Sequence, residues 1–397
     1  MRVLGGGSVT TLGAASRARL TDLFLMLTRI QSPSGNERQV ADAVTALLGE
    51  LGIDVYEDGA GPATGGDTGN LWCTVKGGDG EPHLALGAHM DTVMPTDSID
   101  PVLGDDGVFR NSRSTILGSD DKAALAALLH ATELLKASGQ PFPTYELFFT
   151  VSEEVGLVGV KHMAADALAS PIAAVLDSSG PVGGVVSKAP SMRTLRATFN
   201  GQAAHAGLEP ERGRSAIQAA ARAIEAMQLG RLDSETSANI GIISGGVATN
   251  IVPERCVIEG ECRGHDEEKL AGVAAAMVDA VQEAAAHTGV DLDVSLVTEF
   301  PAFTLTRRSP AVRLAKAAVE ALGIRPRLMT AGGGSDANIL NARGLPTINL
   351  AAGMMLVHSP DEYVSLDELD RLCSLVLSLI RLAPQFDGRL KPAGSPS

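Results

Sequence analysis

Three apolar runs in this chain stop abruptly at acids or a histidine, and that pattern limits the fold more than any other feature. Leu84-Ala85-Leu86-Gly87-Ala88 ends in His89-Met90-Asp91-Thr92, Tyr145 to Val151 ends in Ser152-Glu153-Glu154, and Ile172 to Leu176 ends in Asp177. Helical segments separate the runs. Short apolar strands alternating with helices read as a parallel sheet covered on both faces, and polar groups at their ends form a site at the sheet's carboxyl edge. The expected class is α/β, with a doubly wound, largely parallel sheet.

Helical spacing begins near Arg17 (Leu20, Leu23, Phe24, Leu27), stops at Ser32-Pro33-Ser34-Gly35 and resumes from Asn36 to Leu51. Strands are expected at 54–57, 71–75 and 83–88. Ser119-Asp120-Asp121-Lys122 opens an Ala/Leu-rich helix reaching about Ala137, with Ser119 or Asp120 placed to cap it. From about Gly184 the order becomes strand, helix, two strands, helix and strand, the split β-α-β-β-α-β unit of a ferredoxin-like insert. After Pro301 the α/β pattern returns, with helices at 311–322 and 366–382, a strand at 347–350, and a Gly332-Gly333-Gly334 turn into Ser335. The expected organisation is a discontinuous catalytic domain, 1–183 and 299–397, around a lid domain, 184–298. Residues 1 to about 15 and the tail after Pro384 read as mobile.

The 397 residues, 45% of them hydrophobic, exceed one ordinary domain. With 47 acidic and 32 basic residues the formal charge is −15, without long single-sign runs, so nucleic acid and anionic membrane are excluded as expected partners. No stretch of about twenty apolar residues is present, and the amino terminus has no apolar signal core. Cys73, Cys256, Cys262 and Cys373 form no Cys-x-x-Cys pair; they read as buried thiols of a protein in the cytoplasm.

Each polar motif has an ordinary explanation when taken alone. Glu153-Glu154 suits a solvated turn, Asp120-Asp121 the positive end of a helix, and His358 a loop before the last helix. Their shared destination argues otherwise, because the expected strand order brings all of them to one sheet edge. His89, Asp120, Glu154, Asp177 and His358, with one glutamate to spare, are what a two-metal hydrolase needs: a bridging carboxylate, terminal ligands and a base for water. Imidazoles and carboxylates suit Zn²⁺, with Co²⁺ or Mn²⁺ as substitutes.

The set His89-Met90-Asp91-Thr92, Leu117-Gly118-Ser119-Asp120-Asp121-Lys122, Ser152-Glu153-Glu154-Val155-Gly156, Asp177 and His358-Ser359-Pro360 resembles the co-catalytic zinc metallopeptidases that include peptidase T, aminoacylase, carboxypeptidase G and succinyl-diaminopimelate desuccinylase. Gly245 to Pro253 and Gly333 to Asn338 bring it nearest to peptidase T-like tripeptidases. The resemblance implies an aminopeptidase acting on small peptides, with two divalent metal ions, most simply zinc. It assigns His89 and Asp177 to one ion, Glu154 and His358 to the other, Asp120 as the bridge, Asp91 as the residue orienting His89, and Glu153 as general base. His205 matches a lid histidine that supports the developing oxyanion. Asn250 and Arg263 match lid positions that contact substrate, and Gly333, Gly334 and Ser335 either offer amides to a substrate carboxylate or cap the next helix. Lids of this family also form homodimers. Met354-Met355-Leu356-Val357 is apolar where relatives often carry a polar residue, which points the specificity pocket toward hydrophobic side chains. An N-acyl-amino-acid deacylase using the same metal site is the alternative reading.

Overall fold

The computed structural model describes residues 12–78 and 80–388; of the stretches expected to be mobile, 1 to about 15 and the tail after Pro384, residues 1–11 and 389–397 lie outside the described residues, and Ala14 already belongs to a helix. The chain opens with helices α1 (Ala14–Arg29) and α2 (Arg38–Glu50), then β1 (Tyr56–Glu57), α3 (Ala60–Thr64), β2 (Leu71–Val75) and β3 (Ala85–His89). Next come β4 (Pro101–Leu103), β5 (Val108–Asn111), α4 (Ser119–Ser138), β6 (Tyr145–Thr150), α5 (Val158–His162), β7 (Ala173–Ser178) and β8 (Gly184–Ala189). The insert follows as β9 (Ser191–Asn200), α6 (Ala216–Ala226), β10 (Gly230–Arg231), β11 (Thr236–Gly245), β12 (Arg255–Gly264), α7 (Glu267–Thr288) and β13 (Asp291–Phe300). The remainder is β14 (Phe303–Thr304), α8 (Pro310–Ala321), β15 (Arg327–Thr330), α9 (Asp336–Ala342), β16 (Thr347–Ala351), β17 (Met354–Met355), β18 (Tyr363–Ser365) and α10 (Leu366–Leu382).

Two compact units result, one of residues 1–187, 304–331 and 335–397, the other of residues 188–303 and 332–334. In the first, a nine-stranded sheet runs in the order β1-β2-β6-β3-β7-β16-β8-β14, with β15 paired to β8. Its centre, β6-β3-β7-β16, is parallel, as expected, and β2 and β8 flank it antiparallel. Every residue of β3 is buried, which follows from helices covering both faces. Gly87 is required there: a Cβ on it would meet the Phe148 ring of β6 at 2.1 Å, directly across the ladder. Polar groups therefore leave β3 only at its end, where His89 is the last strand residue.

The second unit is the antiparallel ferredoxin-like layer, ordered β10-β11-β12-β9-β13. Its helices carry legible start signals, since Ser215 accepts the Gln218 N–H at 3.2 Å and Asp266 the Lys269 N–H at 2.9 Å. Ala219, Ala220 and Ala223 of α6 and Leu270, Ala274 and Met277 of α7 bury against Leu195, Ala197 and Phe199 of β9. Cys256 and Cys262 are buried free thiols on β12.

A four-stranded sheet, β17-β18-β5-β4, escapes the sequence reading, because strands of two to four residues carry too little periodicity. Among the described residues no helix is long and apolar enough to cross a membrane. Replacing Gly87 by Ala inserts a methyl against Phe148 and is expected to destabilise the first unit by about 1–3 kcal/mol; urea unfolding of Gly87→Ala with an unchanged midpoint would contradict this packing.

Candidate metal centre

Each polar group reaches the sheet edge because its strand runs out there. β3 delivers His89, the turn after β6 delivers Glu153 and Glu154, β7 delivers Asp177, and the first turn of α4 delivers Asp120. Asp120 places one carboxylate oxygen 3.1 Å from Nε2 of His89 and the other 3.3 Å from Nε2 of His358. Asp177 Oδ1 lies 3.8 Å from Nε2 of His89, and Glu154 Oε1 lies 3.0 Å from Nε2 of His358. Two triads share Asp120: His89, Asp120 and Asp177, and Asp120, Glu154 and His358, each with donor atoms within 4.8 Å of one another. Glu153 forms a third such group with His89 and Glu154.

Asp91 binds this edge together. Its Oδ1 accepts the Glu153 N–H at 2.9 Å, and its Oδ2 accepts the Glu154 N–H at 3.1 Å and the Ser34 hydroxyl at 2.6 Å. The Nδ1 of His89 is 2.9 Å from the Asp91 carbonyl and 3.4 Å from its carboxylate, so Nε2 is the nitrogen turned toward Asp120 and Asp177.

Electrostatics divide the acids by role. Burial works against a charge on Asp120, yet the imidazoles of His358 and His89 draw it down to about 2. Burial, then the charge of Asp177, holds Glu153 well above the usual carboxylate range, and burial, then Asp120, does the same to Asp177. Burial likewise raises Glu154. His89 keeps its proton well above the ordinary imidazole value: burial opposes the charge, but Asp120 and Asp91 outweigh it. Hydrogen bonds to Asp120 and Glu154 raise His358 to about 10. Protons here occupy the lone pairs that a cation would take. Nitrogen and oxygen donors alone, gathered around one carboxylate that already faces two imidazoles, fit divalent ions of the zinc, cobalt and manganese type.

Three supports were not visible in the sequence. Glu37 accepts the Gly35 N–H at 2.9 Å and both the N–H and hydroxyl of Ser152, at 3.0 and 3.2 Å, which steadies the positive φ of 51° just before Glu153. Asp336 receives the Thr150 hydroxyl at 2.5 Å and is raised by burial to about 6. Glu362 accepts four donors from 117–120. The expected capping of α4 by Ser119 or Asp120 is corrected accordingly: Gly118 occupies the cap position, and no side chain at the start of α4 caps it. Only residues close in space, 242 to 245 positions away, identify Glu362 as the cap.

Most of the other expected residues belong to the second unit. In the second unit, the stretch around His205 pairs with that around Asn250, through Ala206 N–H to Asn250 carbonyl at 2.9 Å. His205 is exposed and its Nδ1 accepts the Gly207 N–H at 3.1 Å, so Nε2 carries the proton. Arg263 grips Glu261 with both arms of its guanidinium, at 2.7 and 3.0 Å, beside Gly333. Gly334 lies where a Cβ would strike Phe300. Ser335 is a cap: it and Asn338 form a capping box at the start of α9. The apolar stretch before His358 does not act as one surface, because Met354 is fully buried and Val357 packs on the core, leaving Leu356 as the strongly exposed member at 58%.

A doubly wound domain with paired imidazole and carboxylate triads at its sheet edge belongs to the class of metal-dependent peptidases. Residues 85–382 match the model of peptidase family M20/M25/M40, and the chain is a member of that family. It is 39% identical over 365 residues to the uncharacterized protein YqjE of Bacillus subtilis, covering 92% of this chain and 98% of that one. The crystal structure of aminopeptidase PepT from Bacillus cereus is similar at 38% identity and a TM-score of 0.82, over 93% of this chain and 99% of that one. A tripeptidase from Staphylococcus aureus is similar at 35% identity and a TM-score of 0.86, with the same coverage.

With His358 raised to about 10, its proton is present at neutral pH and would have to leave for a metal to take Nε2. Zinc affinity is therefore expected to rise from pH 6 to pH 8, with net proton release; calorimetry in buffers of different ionisation enthalpy that showed no release would contradict this protonation state.

Proposed function

We propose that this protein is a two-metal peptidase of small peptides, an aminopeptidase of the tripeptidase type, working with Glu153 as general base. The observation that carries the reading is the Asp120 carboxylate, one oxygen toward each imidazole, with the buried, proton-seeking Glu153 beside it. In this reading His89, Asp120 and Asp177 hold one ion and Asp120, Glu154 and His358 the other. Two such ions supply Lewis-acid polarisation of the scissile carbonyl and an acidified water.

The chain's own groups do the rest. Glu153 accepts a proton from the attacking water on its carboxylate, and its raised proton affinity suits it to hold that proton and return it to the departing amine nitrogen. Asp91 keeps the Glu153 and Glu154 backbone and the His89 ring in register, so the base and the ligands hold their spacing. His205, donating through Nε2, is the group we assign to the developing oxyanion, with Asn250 as its neighbour. Arg263 is assigned to a substrate carboxylate, for which Glu261 stands in as a bidentate partner, with Gly333 beside the fork. Similarity to PepT and to a tripeptidase supports the peptide assignment. Four cysteines without a disulfide support a reducing, cytoplasmic setting.

A homodimer through the insert belongs to the same reading: β13 is an edge strand and exposes Leu296 and Val297. Sedimentation showing only a monomer at micromolar concentration would remove that element.

Zinc- or cobalt-loaded protein is expected to release the amino-terminal residue from tripeptides, with products identified by mass. Cleavage restricted to N-acylated amino acids would move the protein to the deacylase reading. Glu153→Gln should keep its metal and lose roughly 10²–10⁴-fold or more in turnover; retained activity would remove Glu153 from the role of base.

A further inference from the structure

We propose that Glu362 is a positioning residue that sets the separation of Asp120 and His358, and thereby the affinity of the metal site that His358 completes. The proposal rests on the two-metal reading above. Glu362 is 2% exposed, and its carboxylate is saturated by donors from one short segment. Oε2 accepts the N–H groups of Leu117 and Gly118, both at 2.8 Å, and Oε1 accepts the Ser119 hydroxyl at 2.6 Å and the Asp120 N–H at 3.1 Å. These are the open donors at the start of α4, where an anion is favoured by the helix dipole as well as by the hydrogen bonds. Gly118, with φ of 74°, turns its N–H into this cradle.

The same residue governs the other ligand. His358 lies four positions earlier, on a turn closed by the Glu362 N–H donating to the Ser359 carbonyl at 3.1 Å. Its side chain is 49% exposed, and its ring nitrogen reaches Asp120 and Glu154. Glu362 is followed at once by β18, which is anchored to β5 and β17. One buried carboxylate thus bolts the Asp120 backbone to the short turn carrying His358. Asp177 sits on β7 and His89 on β3, and both strands are fixed by the central sheet instead. The two metal sites consequently depend on Glu362 unequally.

The test is zinc calorimetry together with cobalt titration followed by visible absorption, on the full-length protein. His358→Ala identifies which binding step belongs to the His358 site. Glu362→Gln turns an amide NH₂ toward backbone donors, and is expected to weaken that step by about 10–100-fold and the other step, which shares Asp120 but not His358, by clearly less. The cobalt spectrum of the weakened site should change with it. Ser119→Ala, which removes one donor and leaves three, is expected to weaken the same step several-fold and serves as the deciding variant if Glu362→Gln does not fold. Unchanged affinity at the His358 site, or equal weakening of both steps, overturns the proposal. Wild-type protein that binds fewer than two ions overturns the two-metal reading and this inference with it.

Discussion

A carboxylate leaves water only when donors or cations replace the lost hydration, and the sheet edge of this protein is arranged around that requirement. Two kinds of buried acid meet there. Asp91, Glu37 and Glu362 are surrounded by backbone N–H groups and hydroxyls, so their oxygens fasten one loop to another. Asp120, Glu154 and Asp177 instead face imidazoles and one another, and Glu153 and Asp177 hold their protons well above the carboxylate range because burial and like charge oppose ionisation. The first kind is scaffold; the second gathers donor atoms close enough to share a cation.

That division explains why the ligands can be held at short range on segments so irregular. Asp120 has non-helical dihedrals in the first turn of α4, and Ser152 and His358 have positive φ in loops. Loops hold such geometry when something else over-determines it. Glu37 does so for Ser152, Asp91 for Glu153 and Glu154, and Glu362 for Asp120. The regular part of the sheet contributes position, through β3 and β7, and the buried acids contribute the angular constraint between loops.

The insert follows different rules. Its core is made of small residues on α6 and α7 against β9, and its loops bring the segments of His205 and Asn250 side by side. Among the described residues it gathers no group of metal-capable side chains; its loops present the exposed His205, the Arg263–Glu261 fork and glycine turns instead. The family match spans both units, over residues 85–382.

Much of this was legible in the residues. Apolar runs ending in His89, Glu153 and Asp177 specified a parallel sheet with its site at the carboxyl edge, because burial on both faces leaves polar residues nowhere else to go. The two helices and four of the five strands of the insert were equally readable, since helical and period-two patterning are local signals. The convergence of His89, Asp120, Glu154, Asp177 and His358 was readable for a related reason, since polar groups at the ends of several apolar runs share one sheet edge. Glu37, Asp336 and Glu362 were not, and neither was the four-stranded sheet behind His358. Their partners lie from 115 to 245 positions away, and a lone glutamate in a polar loop has no periodicity to betray it. The sequence by itself therefore determined which atoms meet, through hydrophobic patterning that acts locally. Only the tertiary structure decided how rigidly they are held, because that depends on buried hydrogen bonds between segments far apart in the chain.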